Sequence, residues 1–134
     1  MRTRLDPDPA NAERGSAAVE FALVLPLMLV VLLGLVQVGL VVRDRVLVEA
    51  AARAGARVAA VVDDQAAIEG AALTAAPSLD AAHATVEVSR EGTRGDPVGV
   101  RIVYEDPVRL PLVGWLVGDG VTMTSTAVAR QEFA

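Results

Sequence analysis

Gly15 and Glu20, with the segment Arg14-Gly15-Ser16-Ala17-Ala18-Val19-Glu20-Phe21 around them, are the residues best placed to do chemistry. Glu20 stands at the mouth of an uncharged run of 22 residues, Phe21 to Val42. A carboxylate costs about 3 kcal/mol at the centre of a bilayer and less near its surface. Either Glu20 marks the wetted end of the run, or it meets a cation inside an apolar assembly. Cutting the chain after Gly15 would create such a cation, the new amine of Ser16. Within one helix the amine is too far along for easy contact with Glu20. A neighbouring subunit shifted along the axis could instead bring its amine to this carboxylate, and the pair would set the register between helices.

The remaining polar residues offer less. Cysteine is absent, which removes disulfides, thiolate metal sites and a cysteine nucleophile. The one histidine, His83, cannot build a multi-histidine metal site and reads as an ordinary surface residue before a strand. Beyond residue 62 no nucleophile–base or metal constellation occurs, so a membrane-tethered enzyme has least support and no cofactor or metal is implied. The net charge is −5 and the arginines are scattered, which argues against a nucleic-acid partner. Gly114-Trp115-Leu116-Val117-Gly118-Asp119-Gly120 has the glycine count of a phosphate loop without its strand–loop–helix setting, and reads as turn chemistry. The apolar stretch Leu110 to Val117, with the only tryptophan, reads as a lid over a small core, with a lipid headgroup or partner contact as the alternative. The acidic pairs Asp63-Asp64 and Glu105-Asp106 read as solvated or capping residues.

The elements that carry these residues follow from periodicity. Residues 1–15 are polar and lack a repeat, a short leader. The run from Phe21 to Val42 is apolar all round and, at ~1.5 Å per residue, crosses a hydrocarbon core of ~30 Å. A cleaved secretory signal would have a shorter apolar region followed at once by small residues. Here Arg43-Asp44-Arg45 comes only after the full span, so a retained single-pass membrane helix over 16–42 is favoured. Pro26 removes one backbone donor and predicts a local kink. Arg43, Arg45, Arg53 and Arg57 follow the span while Arg2, Arg4 and Arg14 precede it, so arginine counts alone do not choose an orientation.

The helical pattern continues past the span. Leu47, Ala50, Ala51, Ala54, Val58, Val61 and Val62 form an apolar stripe, with Glu49, Arg53 and Arg57 off it and Gly55 the one weak helix former. This makes a helical spine over 43–62, and the whole helix would be roughly 70 Å long. Asp63-Asp64 can cap a second short helix over 65–76, closed by Pro77. The period then changes to two: Ala84, Val86 and Val88, then Val98, Val100, Ile102 and Tyr104, then a third strand over 121–129. A small antiparallel sheet of about three strands over 83–129 follows, packed on the exposed half of the long helix. The expected class is α+β, with a domain over 43–134 that the resemblance described below would place outside the cytoplasm.

At this point the residues carry a resemblance. Gly15-Ser-Ala-Ala-Val-Glu20-Phe21, opening a long apolar helix after a short polar leader, resembles the processing signal of type IVb pilins and pseudopilins. It is most similar to the TadE-like proteins of the tight-adherence (Flp) pilus system. Glu49-Ala-Ala-Ala-Arg53-Ala-Gly-Ala-Arg57 resembles that family's alanine-rich stretch, and Thr124 to Glu132 its closing strand. The resemblance implies a minor pseudopilin, a substrate and not a catalyst, cut between Gly15 and Ser16 by a prepilin peptidase. Glu20 and Phe21 would then serve subunit assembly. Implied partners are that peptidase, other pilins or pseudopilins, the pilus assembly platform and the lipid bilayer. The implied location is the cytoplasmic membrane with the C-terminal domain outside, or association with the pilus itself. The alternative from the residues alone is an uncut single-pass membrane protein with a small extracytoplasmic binding domain.

Overall fold

A computed structural model describes residues 9–107 and 120–132. It has a long N-terminal apolar helix, a second short helix and a three-stranded antiparallel sheet, the α+β architecture that the periodicity predicts. The helix α1 runs Pro9–Ala59, α2 runs Gln65–Ala75, and a single 3-10 turn covers Ala81–His83. The strands are β1 (Ala84–Arg90), β2 (Pro97–Pro107) and β3 (Gly120–Arg130), in the order β1-β2-β3. The apolar loop with Trp115 and the Gly118-Asp119 part of the following turn lie outside the described residues, as do residues 1–8 of the leader stretch. The chain forms two compact units, Met1–Val36 and Gln37–Ala134.

In the first unit, α1 already begins at Pro9, within the stretch read as a leader without a repeat. It continues through Pro26 as one helix. From Val19 to Val36 the large apolar side chains are almost all exposed, and the most apolar 18-residue window has a mean hydropathy of 2.7 with none of it buried. No aqueous protein surface carries an apolar patch of this extent; it needs lipid or other apolar helices around it.

The second unit contains the core. Tyr104, Ile102, Val100 and Val98 line one face of β2, and Met123 of β3 joins them. Val48, Ala51, Ala52, Ala56 and Ala59 of α1, and Ile68 and Ala72 of α2, pack on that face. β1 alternates half-buried Ala84, Val86 and Val88 with exposed Thr85, Glu87 and Ser89, as a strand with one wet face must. Unbroken antiparallel pairing sets Val86 opposite Ile102 and Val100 opposite Ala127. The β1–β2 connection turns at Gly92 and Gly95, both with positive φ (88° and 96°), and Asp96 closes it by accepting from the Thr93 amide at 2.7 Å.

The buried stripe of α1 differs from the one expected. Ala51 and Ala54 are buried, but Leu47, Ala50 and Val58 are half-buried, and Val61 and Val62 are exposed beyond the helix end. The face that packs runs through Val48, Ala52, Gly55 and Ala59. The reason is close approach. A Cβ built on Gly55 would stand 3.0 Å from Val100 Cγ1 and 3.6 Å from both Ala72 Cβ and Ile68 Cγ2. Three elements meet at this glycine, so the smallest side chains, and not the largest, mark the interface. Gly55→Ala should change stability little, because about 1 kcal/mol of helix propensity is offset by crowding against Val100. Gly55→Val should cost about 2 kcal/mol or more by overpacking, read as a lowered Tm of the detergent-solubilised chain.

Candidate processing and assembly site

Gly15, Ser16, Glu20, Phe21 and Pro26 all lie on α1, and all are exposed in the first unit. Helical geometry stacks residues four apart on one face, and Ser16 Oγ donates to Glu20 Oε1 at 3.2 Å. The amine of Ser16 was expected to lie beyond easy reach of Glu20 in one chain, yet the side chain of the same residue does reach it. The Glu20 carboxylate thereby has one hydrogen-bond donor within its own helix. Gly15 touches nothing: a Cβ added there would meet no atom within 4 Å, and its φ is not positive. Neither packing nor backbone conformation inside the chain requires glycine at this position. Phe21 presents its ring outward, 61% exposed, beside the Ser16–Glu20 pair in sequence. A proton donor, a carboxylate, an aromatic ring and a peptide bond without a side chain on its carbonyl side thus share two turns of helix.

The second unit holds polar residues that the sequence reading passed over. Gln37 and Asp44 are buried in the apolar stripe of α1, 7% and 1% exposed. They stand seven residues apart, and Val41 and Val48 continue the same face. That spacing was the available signal; Arg43-Asp44-Arg45 was read only as the end of the uncharged span, and Arg43 and Arg45 are both exposed. Asp106 at the end of β2 is buried as well, although its pair with Glu105 reads as solvated in the sequence.

Arg90, the last residue of β1, was also missed. Its guanidinium donates from Nη1 to the Ala59 carbonyl at 2.8 Å and from Nη2 to the Val62 carbonyl at 2.9 Å. Its Nε lies 3.0 Å from Asp63 Oδ1. The Ala59 carbonyl is one that the helix end leaves without an intrahelical donor, the Val62 carbonyl lies just beyond that end, and the helix dipole favours a cation there. The planar fork of arginine meets three acceptors at once. Sequence spacing gave no hint, since Arg90 lies 28 and 31 residues from its two carbonyl partners.

The acidic pair before α2 divides its work. Asp64 is the N-cap and accepts from the Ala66 amide at 3.0 Å, as expected, while Asp63 goes to Arg90. Glu49 lies 3.7 Å from Arg53, the pair that the i,i+4 spacing predicts, and 3.8 Å from Arg45. His83 is a half-exposed surface residue with Nδ1 3.1 Å from Asp80 Oδ2.

Residues 15–57, about a third of the chain, match the family model described as TadE-like protein. The match opens on Gly15 and closes on Arg57, the ends of the two N-terminal stretches that carry the resemblance. No curated protein and no solved structure matches the chain.

Arg90→Ala should release the end of α1 and cost about 2 kcal/mol, the usual loss for hydrogen bonds to a charged group. Arg90→Lys should recover only part of it, because one ammonium cannot serve three separated acceptors. Thermal unfolding of both variants, followed by circular dichroism, checks the order wild type, Lys, Ala.

Proposed function

We propose that this chain, TadE-like from Gly15 to Arg57, is a minor pseudopilin of a Tad-type pilus system. It inserts in the cytoplasmic membrane by its apolar helix over 16–42, with the domain over 43–134 outside. A prepilin peptidase hydrolyses the Gly15–Ser16 amide: water adds to the Gly15 carbonyl carbon, the leader departs with a new carboxylate, and Ser16 keeps a free ammonium. The shortened helix then packs among other pilins or pseudopilins on the assembly platform.

The observation that carries this reading is the family match itself. It begins at the glycine of the cut and runs through an apolar span whose most apolar 18-residue window has no cover among the described residues. Such a helix can be covered by lipid before assembly and by like helices after it. Glu20 supports the reading as the one charged residue between Gly15 and Arg43. Once the cut has been made, a neighbour's Ser16 ammonium supplies the opposite charge where water is scarce. The second unit, with its small sheet, is the part of the chain that would face partners outside the membrane.

Intact mass of the protein from cells with an active peptidase should correspond to a chain beginning at Ser16. A chain retaining Met1 would favour the alternative, an uncut single-pass protein with a small binding domain. Glu20→Ala should leave membrane insertion unchanged and reduce recovery of the protein in sheared pilus or assembly-platform fractions severalfold. Equal recovery of variant and wild type would leave Glu20 as the wetted end of the span.

A further inference from the structure

The bond between Gly15 and Ser16 lies inside a helix. α1 begins at Pro9, so two turns of helix precede or include the scissile peptide. In the α-helical pattern the Ser16 amide is directed at the Ala12 carbonyl, and the Gly15 carbonyl at the Val19 amide. Both polar groups of the bond to be cut are therefore engaged. A peptidase has to open this helix locally before it can cut.

Glycine is the weakest ordinary helix former, because its backbone loses most freedom on ordering. At position 15 it has no other consequence inside the chain: there is open space around it and no positive φ. Resting on the cut proposed above, we infer that local unwinding of α1 around residues 12–17 gates the cut. Gly15 sets this gate by weakening the helix at the scissile bond. The residue at 15 then acts as a positioning residue through backbone stability, in addition to any contact it makes with the peptidase. The gate is local because α1 gains tertiary support only in the second unit, from residue 37 onward.

The test is a time course of cutting by intact mass, with the full chain in membranes that contain the peptidase. Gly15→Ala should slow cutting about fivefold, the ratio that the Gly–Ala difference in helix propensity implies. Ala12→Gly and Ala17→Gly lie on opposite sides of the bond and share only their effect on the helix. Either one, added to Gly15→Ala, should return the rate to within about twofold of wild type. A Gly15→Ala chain that is slowed or blocked and rescued by neither glycine overturns the inference, since the peptidase then reads the missing side chain by contact. Equal rates for all variants overturn it as well. A wild-type chain that keeps residues 1–15 removes the processing reading, and this inference falls with it.

Discussion

The second unit depends on how closely α1 can approach β2. At Gly55 the helix backbone comes near enough to Val100 that even a methyl group would crowd it. Around that point the helix contributes Ala51, Ala52, Ala56 and Ala59, and the sheet supplies bulk through Val98, Val100, Ile102 and Tyr104. A helix that has just crossed an apolar medium has two conflicting requirements. Over the span it must be apolar on every side, and after the span it must be apolar on one side only. Small residues resolve the conflict, because they give a smooth helix whose buried face is set by what packs on it. The consequence is a shallow core, in which β2 supplies four of the large side chains and Val48, Ile68 and Met123 add one each from α1, α2 and β3.

Such a core needs its edges fixed, and Arg90 does so at the C-terminal end of α1. The helix dipole, the terminal carbonyl of Ala59 and the carbonyl of Val62 just beyond it make that end a natural place for a cation. Asp63 then balances the charge. The next residue, Asp64, starts α2 by capping its first turn. One short stretch therefore ends one helix, holds a strand end and begins another helix, with neighbouring acids serving separate partners. The surface ion pairs of Glu49 are longer and exposed, and contribute much less.

Much of this was legible in the sequence because it depends on local periodicity. The uncharged span, the change of period at Ala84, the three strands and the Asp64 cap all follow from spacing within ten or so residues. What could not be read was set by tertiary distance. The stripe on α1 was assigned from aliphatic residues, and so drifted toward Val61 and Val62, while the true contact is marked by Gly55 and the alanines. Asp44 was read only with the end of the uncharged span, and Arg90 was hidden by the thirty or so residues that separate it from its acceptors. At the candidate site, the types and order of Gly15, Ser16 and Glu20 were plain from the sequence. The Ser16–Glu20 bond and the helical state of the peptide before Ser16 were not, because they depend on where α1 begins.

The end of α1 is held from one further direction, by the amide of Glu132, which donates to the Ala60 carbonyl at 2.8 Å. Ala60 and Glu132 bracket about three quarters of the second unit, so the chain between them must close before this bond exists. A ribosome delivers Ala60 long before it delivers Glu132. During synthesis, then, the apolar span is complete and available to a bilayer while the sheet that will rest on the spine is still missing its outer strand. In this chain the apolar span is made before tertiary closure can occur, by the order in which its residues are joined.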